Sequence, residues 1–211
     1  KLYMMKHEDG VVRWNPKGIE LYEIITQKFL GSLLVLVHMS AGQPLRSSEI
    51  LSTKLENTQS QVRSVFVFHE RVMIRVNYHK GLQMTGNAKD NIRFLPVAIG
   101  ELLLNYMVYV MPLRREFLRQ AKPGASLSPF LWANTSGTLD DKYVSRYMKK
   151  ACARIEAPPL TVQPWRQITV AIVKAKFASQ VHCFDLGSNV NEENLEGDEG
   201  EADLRAMHRQ R

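Results

Sequence analysis

Two short segments with alternating apolar and polar residues, only three residues apart, constrain the fold of this 211-residue chain most strongly. The first is Val62–Phe68 and the second is Val72–Tyr78. Alternation with period two places successive side chains on opposite faces of a strand, and so short a connection leaves room only for a tight turn. The pair therefore predicts an antiparallel β-hairpin. A third short strand is expected at Ile92–Leu95, closed by Pro96.

Helical patterns surround the predicted hairpin. The apolar run Phe29–Met39 indicates a buried helix that is too short to span a bilayer. A second apolar stretch, Val97–Leu118, has helical spacing, and Pro112 is expected to kink or split it. The segment Leu139–Ile155 predicts a basic amphipathic helix with Tyr143, Tyr147 and Ala151 on one face. The expected fold class is therefore α+β, mainly α, with a helical body and a small antiparallel β-sheet.

An arginine stands in a turn of small residues directly after the first apolar helix. The segment reads Gly42-Gln43-Pro44-Leu45-Arg46-Ser47-Ser48-Glu49. A planar guanidinium can grip two phosphate oxygens at once, and a rigid turn at a helix junction would hold it in place. Taken alone, the segment is explained better by an ordinary surface loop, because many such loops contain these residue types.

Two further cationic residues follow at distinctive places. Lys80 lies in Tyr78-His79-Lys80-Gly81, directly after the second hairpin segment. Arg166 lies in Leu160–Ala171, within the first turns of another predicted helix. The chain thus presents an arginine after a helix, a lysine after a hairpin and a second arginine at a helix start, in that order.

In this order and spacing, residues 33–179 resemble the catalytic domain of tyrosine recombinases, the phage integrase family, and more closely its degenerate versions in fungal mobile elements and helicase-associated repeats. The family's first motif, Gly-x-Arg-x-Ser-Glu-Leu, is matched by Arg46, Ser48 and Glu49, with two extra residues after Gly42. The second motif, Leu-Thr-x-His-x-Leu-Arg-His-Thr, is matched at its arginine by Arg166, while glutamines replace both histidines, at Gln163 and Gln167.

The resemblance implies DNA breaking and rejoining, as in site-specific recombination or integration. In that reaction a tyrosine attacks a DNA phosphodiester and forms a 3′-phosphotyrosine without a metal or other cofactor. Arg46 and Arg166 would bind the non-bridging oxygens, and Lys80 would protonate the leaving oxygen as general acid. Gln163 can hydrogen-bond a phosphate oxygen but cannot shuttle a proton. The family implies double-stranded DNA as the partner, assembly of several copies of the chain on that DNA, and a location in the nucleus.

The nucleophile of this chemistry is missing from the sequence. The family's final motif supplies a histidine or tryptophan and then the tyrosine, but the last tyrosine of this chain is Tyr147. His208 is a candidate for the start of that motif, with a residue of a frayed basic tail as the alternative. We therefore expect no cleavage by the chain as written. The alternatives are a non-catalytic DNA-binding remnant of a mobile element, and a helical interaction domain with no nucleic-acid role.

The charge distribution favours an anionic partner. The chain has a net charge of +7 and a sequence pI of about 9.5. Because residues 192–211 hold seven acids and three arginines, the preceding part carries about +11. A basic domain of this kind fits nucleic-acid binding, although a soluble protein with excess lysine explains the charge equally well.

Two basic clusters are candidate contacts to DNA phosphates. Arg114 and Arg115 lie near the end of the second apolar stretch. The other cluster recurs along one face of the basic amphipathic helix and consists of Lys142, Arg146, Lys149 and Lys150. Contacts of this type supply affinity without sequence information. A solvated helix end and an ordinary exposed face are the competing explanations.

Three regions are expected along the chain. Residues 1–186 form the recombinase-like core, with 1–17 as the trailing linker of an upstream domain; 187–203 form a disordered acidic linker; 204–211 begin the truncated final motif. The chain starts at Lys1 without a signal-peptide pattern, so it is expected to belong to a longer polypeptide with no membrane partner. Cys152 and Cys183 are too far apart in sequence to indicate a zinc or disulfide motif. His38 is expected to pack in its helix.

Overall fold

The computed structural model describes residues 14–59, 62–76, 91–121, 123 and 128–177. The chain divides into two compact units, Lys1–Val170 and Ala171–Arg211. Of the second unit, the described part is the helical segment 171–177. Lys80, His208, the acidic linker and the predicted boundary at residue 186 lie outside the described residues and stay predictions.

Helix α1, Pro16–Ser40, forms the first wall of the core. The side-chain oxygen of Asn15 accepts a hydrogen bond from the Lys17 backbone N–H at 3.1 Å, and Pro16 suits the first helical turn. The helix ends before Gly42, whose φ of +85° suits glycine. The predicted helix over Phe29–Met39 is therefore confirmed but too short. Pro16 and Lys17, at the end of the predicted linker 1–17, lie in α1; the linker itself stays a prediction.

A short helix and a three-stranded antiparallel sheet follow. Helix α2 is Ser47–Leu51, and the strands are β1 Val65–Phe68, β2 Arg71–Val76 and β3 Asn91–Phe94, in the spatial order β1-β2-β3. The predicted hairpin and third strand are thus confirmed. The hairpin turn consists of His69 and Glu70, both with positive φ, as a two-residue turn between right-twisted strands requires.

A long helical segment covers the sheet and continues past it. It consists of α3 Val97–Asn105, a π-turn Tyr106–Val110 and α4 Met111–Ala121. Pro112 was expected to kink or split this helix, and the helix is not split. The wider turn directly before Pro112, where the Met111 N–H donates to the Tyr106 carbonyl, accommodates a residue that has no N–H. Among the described residues, Val97–Ala121 is the one helix long and apolar enough, by length and composition, to cross a membrane.

The remaining elements close the core. A small hairpin of β4 Ala133–Asn134 and β5 Gly137–Thr138 precedes α5 Asp141–Arg154 and α6 Val162–Phe177. The predicted basic amphipathic helix and the helix carrying Arg166 are both confirmed. The core is formed by buried side chains from nearly all elements, including Leu30, Leu34, Ile74, Tyr106, Trp132 and Met148. The described residues thus form a mainly helical α+β fold with a small antiparallel sheet.

Candidate nucleic-acid interface

Arg46 stands at the start of α2, in a turn held by a buried carboxylate. Its backbone N–H donates to Glu49 Oε2 at 2.9 Å, and its side-chain Nε lies 4.0 Å from Glu49 Oε1. The Glu49 side chain is mostly buried, whereas 46% of the Arg46 side chain is exposed. The carboxylate therefore fixes the backbone of the turn and leaves the guanidinium accessible from solvent.

Arg166 is positioned by the packing of α6 against α5. The Val162 N–H donates to Ser145 Oγ at 3.5 Å, and the Val162 side chain is buried in the core. Arg166, one turn further along, is half-buried. Burial lowers the pKa of its guanidinium, the charge of Arg46 lowers it further, and the Glu49 carboxylate opposes both effects. The two arginines that the sequence motifs single out are thus close enough to repel each other.

A third arginine, Arg93 on β3, belongs to the same group and was missed by the sequence analysis. Its Nε donates to the Gln43 carbonyl at 3.2 Å and its Nη1 to the Ile92 carbonyl at 3.1 Å. Burial lowers the pKa of Arg93, and the charge of Glu49 raises it. Arg93 therefore tethers the sheet to the turn that carries Arg46. The available signal was its register opposite the buried Ile74, which places a cation on the core side of the strand.

His38 lies buried beside these arginines, on α1. Neither ring nitrogen has a hydrogen-bond partner among the described residues. A cavity of about 10 Å³ adjoins it and is lined in part by Gln43 and Arg93. Burial, helped by the charge of Arg166, lowers the pKa of His38 from 6.5 to about 4. The expectation that His38 packs in its helix is confirmed, and the side chain is neutral at pH 7.

Protonation of His38 is expected to destabilise the fold in mild acid. The folded-state pKa of His38 is lower than 6.5, so below pH 6.5 the unfolded chain binds a proton at this residue more readily than the native state does. The contribution of neutral His38 to the free energy of unfolding is therefore lost as the pH falls from 6.5 towards 4. Going from pH 7 to pH 5 should cost the wild type about 2 kcal/mol more than it costs His38→Leu, which cannot titrate. Urea unfolding at both pH values measures the difference. Equal losses in the two proteins would show that His38 is not responsible.

Arg114 and Arg115, predicted to contact phosphates, each pair with a carboxylate of the protein. Arg114 is buried; its Nε and Nη2 each lie 2.7 Å from the Glu23 carboxylate, its Nη1 donates to the Tyr106 hydroxyl and its Nη2 to the Ala133 carbonyl. We correct the prediction for Arg114, since every one of these donors is satisfied away from solvent. Arg115 is half-buried and forms an ion pair with Glu56, so its charge is partly neutralised. Both arginines line a cavity of about 290 Å³ next to the β4–β5 hairpin.

The basic face of α5 remains accessible, unlike Arg114 of α4. We call it the α5 stripe; it consists of Lys142, Arg146, Lys149 and Lys150, all exposed and none in an ion pair with another described residue. Arg146 and Lys150 lie over the rings of Tyr143 and Tyr147, at 6.0 Å and 5.0 Å from the ring centroids. The charged groups of these two exposed side chains thus lie over aromatic rings, which attract them by cation–π interaction.

Gln163, the remaining predicted site residue in the described part, is exposed in the first turn of α6, with no side-chain hydrogen bond to another described residue. No protein-family model matches the chain, and no solved structure matches it. Among the described residues, no group of three His, Cys, Asp or Glu side chains could hold a metal ion. The function must therefore be argued from the sequence motifs and from the geometry of the arginine group.

Proposed function

We propose that this chain binds double-stranded DNA by gripping a backbone phosphate between Arg46 and Arg166, as the catalytic core of a tyrosine recombinase does. One observation carries the proposal: helix α5 packs against α2, which Arg46 precedes, and its Ser145 bonds the first turn of α6, which carries Arg166. The lowering of the Arg166 pKa by the charge of Arg46 agrees with this arrangement. Both belong to motifs whose order resembles that family. Arg46 is accessible from solvent, as a phosphate-binding residue must be.

The arginine group has an excess of positive charge that a phosphate would relieve. Arg46, Arg93 and Arg166 all interact with one carboxylate, that of Glu49. Like charges that lie close together repel each other, and a bound anion would reduce this repulsion. Planar guanidinium groups match the spacing of phosphate oxygens and can each donate two parallel hydrogen bonds. A phosphodiester is therefore the ligand chemistry that suits the group.

The α5 stripe extends the positive surface beyond the arginine group. Helix α5 packs against α2, and its Ser145 bonds the first turn of α6, so it adjoins both elements that carry the two arginines. Exposed lysines and arginines along a helix face contact successive phosphates without reading sequence. We infer that the stripe supplies salt-dependent affinity for the DNA backbone on either side of the gripped phosphate.

In the order of the family's motifs, strand breaking and rejoining would use a tyrosine that follows Arg166. The hydroxyls of Tyr143 and Tyr147 donate to the Gln27 carbonyl at 3.5 Å and 3.4 Å, and burial raises the pKa of Tyr143. A buried phenol with a raised pKa is a poor nucleophile. No tyrosine follows Arg166 in the sequence. The non-catalytic DNA-binding remnant is therefore the form of the function that this sequence supports by itself. Lys80 as general acid, assembly on DNA and a nuclear location stay predictions.

The double variant Arg46→Ala, Arg166→Ala tests the phosphate grip. Loss of two charge-assisted contacts should weaken binding to a duplex about a hundredfold. The plot of the logarithm of the association constant against the logarithm of salt concentration should become less steep by about two. Fluorescence anisotropy with a labelled duplex over a salt series measures both quantities. The matched control, Lys17→Ala with Lys28→Ala, removes two exposed charges from α1 and should change affinity only slightly. If the two double variants behave alike, the grip is not the binding site.

Strand cleavage is tested separately. The wild-type chain is incubated with a nicked duplex and the products are separated by denaturing electrophoresis. We expect no covalent protein–DNA product, because no tyrosine after Arg166 is present. A product that resists denaturation would show that one of the tyrosines of this chain acts as the nucleophile, and would restore the active-recombinase alternative.

A further inference from the structure

The three-stranded sheet has one face on the core and an outer face that carries aromatic side chains. Along strand β2, buried residues on the core face alternate with less buried residues on the outer face. Buried Val65, Val72 and Ile74 share the core face. In the strand register Phe66 lies opposite Met73, and Met73 lies opposite Phe94, so these three form a row across the other face. Phe68 and Ile92 lie on the same outer face, opposite Arg71 and Arg75 respectively.

Three apolar side chains of this outer face are exposed to solvent. Phe68 is 52% exposed, Phe94 is 44% exposed and Ile92 is 45% exposed. The Phe68 and Phe94 ring centroids are 6.3 Å apart, and the Phe68 ring contacts His69 edge to face at 4.4 Å. Exposed phenylalanines that are grouped on one sheet face are unfavourable in water, so they point to a ligand that covers them.

The charges around the rings select the chemistry of that ligand. The Arg63 guanidinium lies over the Phe66 ring at 5.2 Å from its centroid, and Arg71 is exposed directly opposite Phe68. In residues 63–76 and 91–94 the one acidic residue is Glu70. A surface of open π-faces bordered by guanidinium groups suits a ligand that is flat and aromatic in one part and anionic in another.

We propose that this outer sheet face is a binding platform for a single-stranded nucleic acid segment, whose unpaired bases stack on Phe68 and Phe94 and whose phosphates contact Arg63 and Arg71. Bases within a duplex are stacked on one another, so their faces cannot reach the rings. The platform is therefore distinct from the duplex grip of Arg46 and Arg166. Because every base has a π-face, recognition by stacking tolerates sequence variation.

Two double variants separate stacking from simple apolar contact. Phe68→Leu with Phe94→Leu keeps the positions apolar but removes the rings, whereas Phe68→Tyr with Phe94→Tyr keeps the rings. Both positions are exposed, so folding should be retained, which thermal melting followed by circular dichroism checks. Tyr109→Leu, an exposed aromatic residue of the π-turn, is the matched control.

The measurement is anisotropy with labelled oligothymidine and oligouridine of about 12 nucleotides. We expect the leucine pair to weaken binding about a hundredfold, and the tyrosine pair and Tyr109→Leu to stay near the wild-type value. Preference for oligothymidine or for oligouridine identifies DNA or RNA as the source of the strand. The Arg46→Ala, Arg166→Ala variant should bind these probes normally, so failure of the duplex proposal and failure of the platform are distinguishable.

Two results would overturn the platform. The first is wild-type protein that binds neither oligonucleotide. The second is undiminished binding by the leucine pair, since that would show that the rings do not stack on bases. In either case the apolar face is left as a contact for a protein surface.

Discussion

Replacing Arg114 by methionine is expected to lower the free energy of unfolding by about 3–5 kcal/mol. The guanidinium makes two hydrogen bonds of 2.7 Å to Glu23, one of 3.2 Å to the Tyr106 hydroxyl and one of 2.9 Å to the Ala133 carbonyl. Methionine fills most of the space but leaves the Glu23 carboxylate without a cation, with the Gln27 amide still donating to it. The side chains of Arg114 and Glu23 are only 9% and 15% exposed, so water compensates little. Urea unfolding at pH 7 measures the loss.

A double-mutant cycle separates the lost charge pair from lost packing. Arg114→Met with Glu23→Leu removes both charges and should recover a large part of the stability, because no carboxylate is left unpaired. Arg119→Met breaks the exposed pair with Glu116 on the same helix and should cost less than about 1 kcal/mol. An Arg114→Met variant as stable as Arg119→Met would contradict the structural role of the buried pair.

Gly31→Ala is the second large expected effect, a loss of about 1–3 kcal/mol. Alanine in a helix interior normally stabilises by about 1 kcal/mol relative to glycine. At this position a Cβ atom would stand 1.9 Å from Cε1 of the Tyr147 ring, closer than any non-bonded contact allows. The ring cannot move aside easily, because it stacks on Tyr143 at 4.7 Å and its hydroxyl bonds the Gln27 carbonyl. Thermal or urea unfolding measures the loss.

Gly31→Ala is expected to destabilise the protein because its Cβ meets the Tyr147 ring, and removing that ring tests this explanation. In a Tyr147→Ala background the ring is absent, so Gly31→Ala should become neutral or stabilising. A loss that persists in this background would mean that another neighbour opposes the Cβ. The close packing also bears on function, because Tyr143 and Tyr147 hold α5 against α1 and so determine where the α5 stripe lies.

The elements that were predicted correctly are those specified by local patterns. Period-two alternation and a short turn specified the hairpin β1–β2, and an apolar stripe at helical spacing specified α5. The errors lie where the local signal is weak. The first half of α1 has no continuous apolar run, and Pro112 was expected to kink or split a helix that instead continues through a π-turn.

Sequence by itself determined the fold class, the main elements and the motifs that contain Arg46 and Arg166, because each depends on residues close together in the chain. Only the tertiary structure decided how the cations are used. It buried Arg114 against Glu23, 91 residues away, brought Arg93 to the Gln43 carbonyl, 50 residues away, and left the α5 stripe in solvent. The physical reason is that charge and hydrogen bonding depend on distance in space, which no local pattern encodes. A guanidinium becomes a structural anchor or an anion site according to which distant carboxylate the fold brings to it.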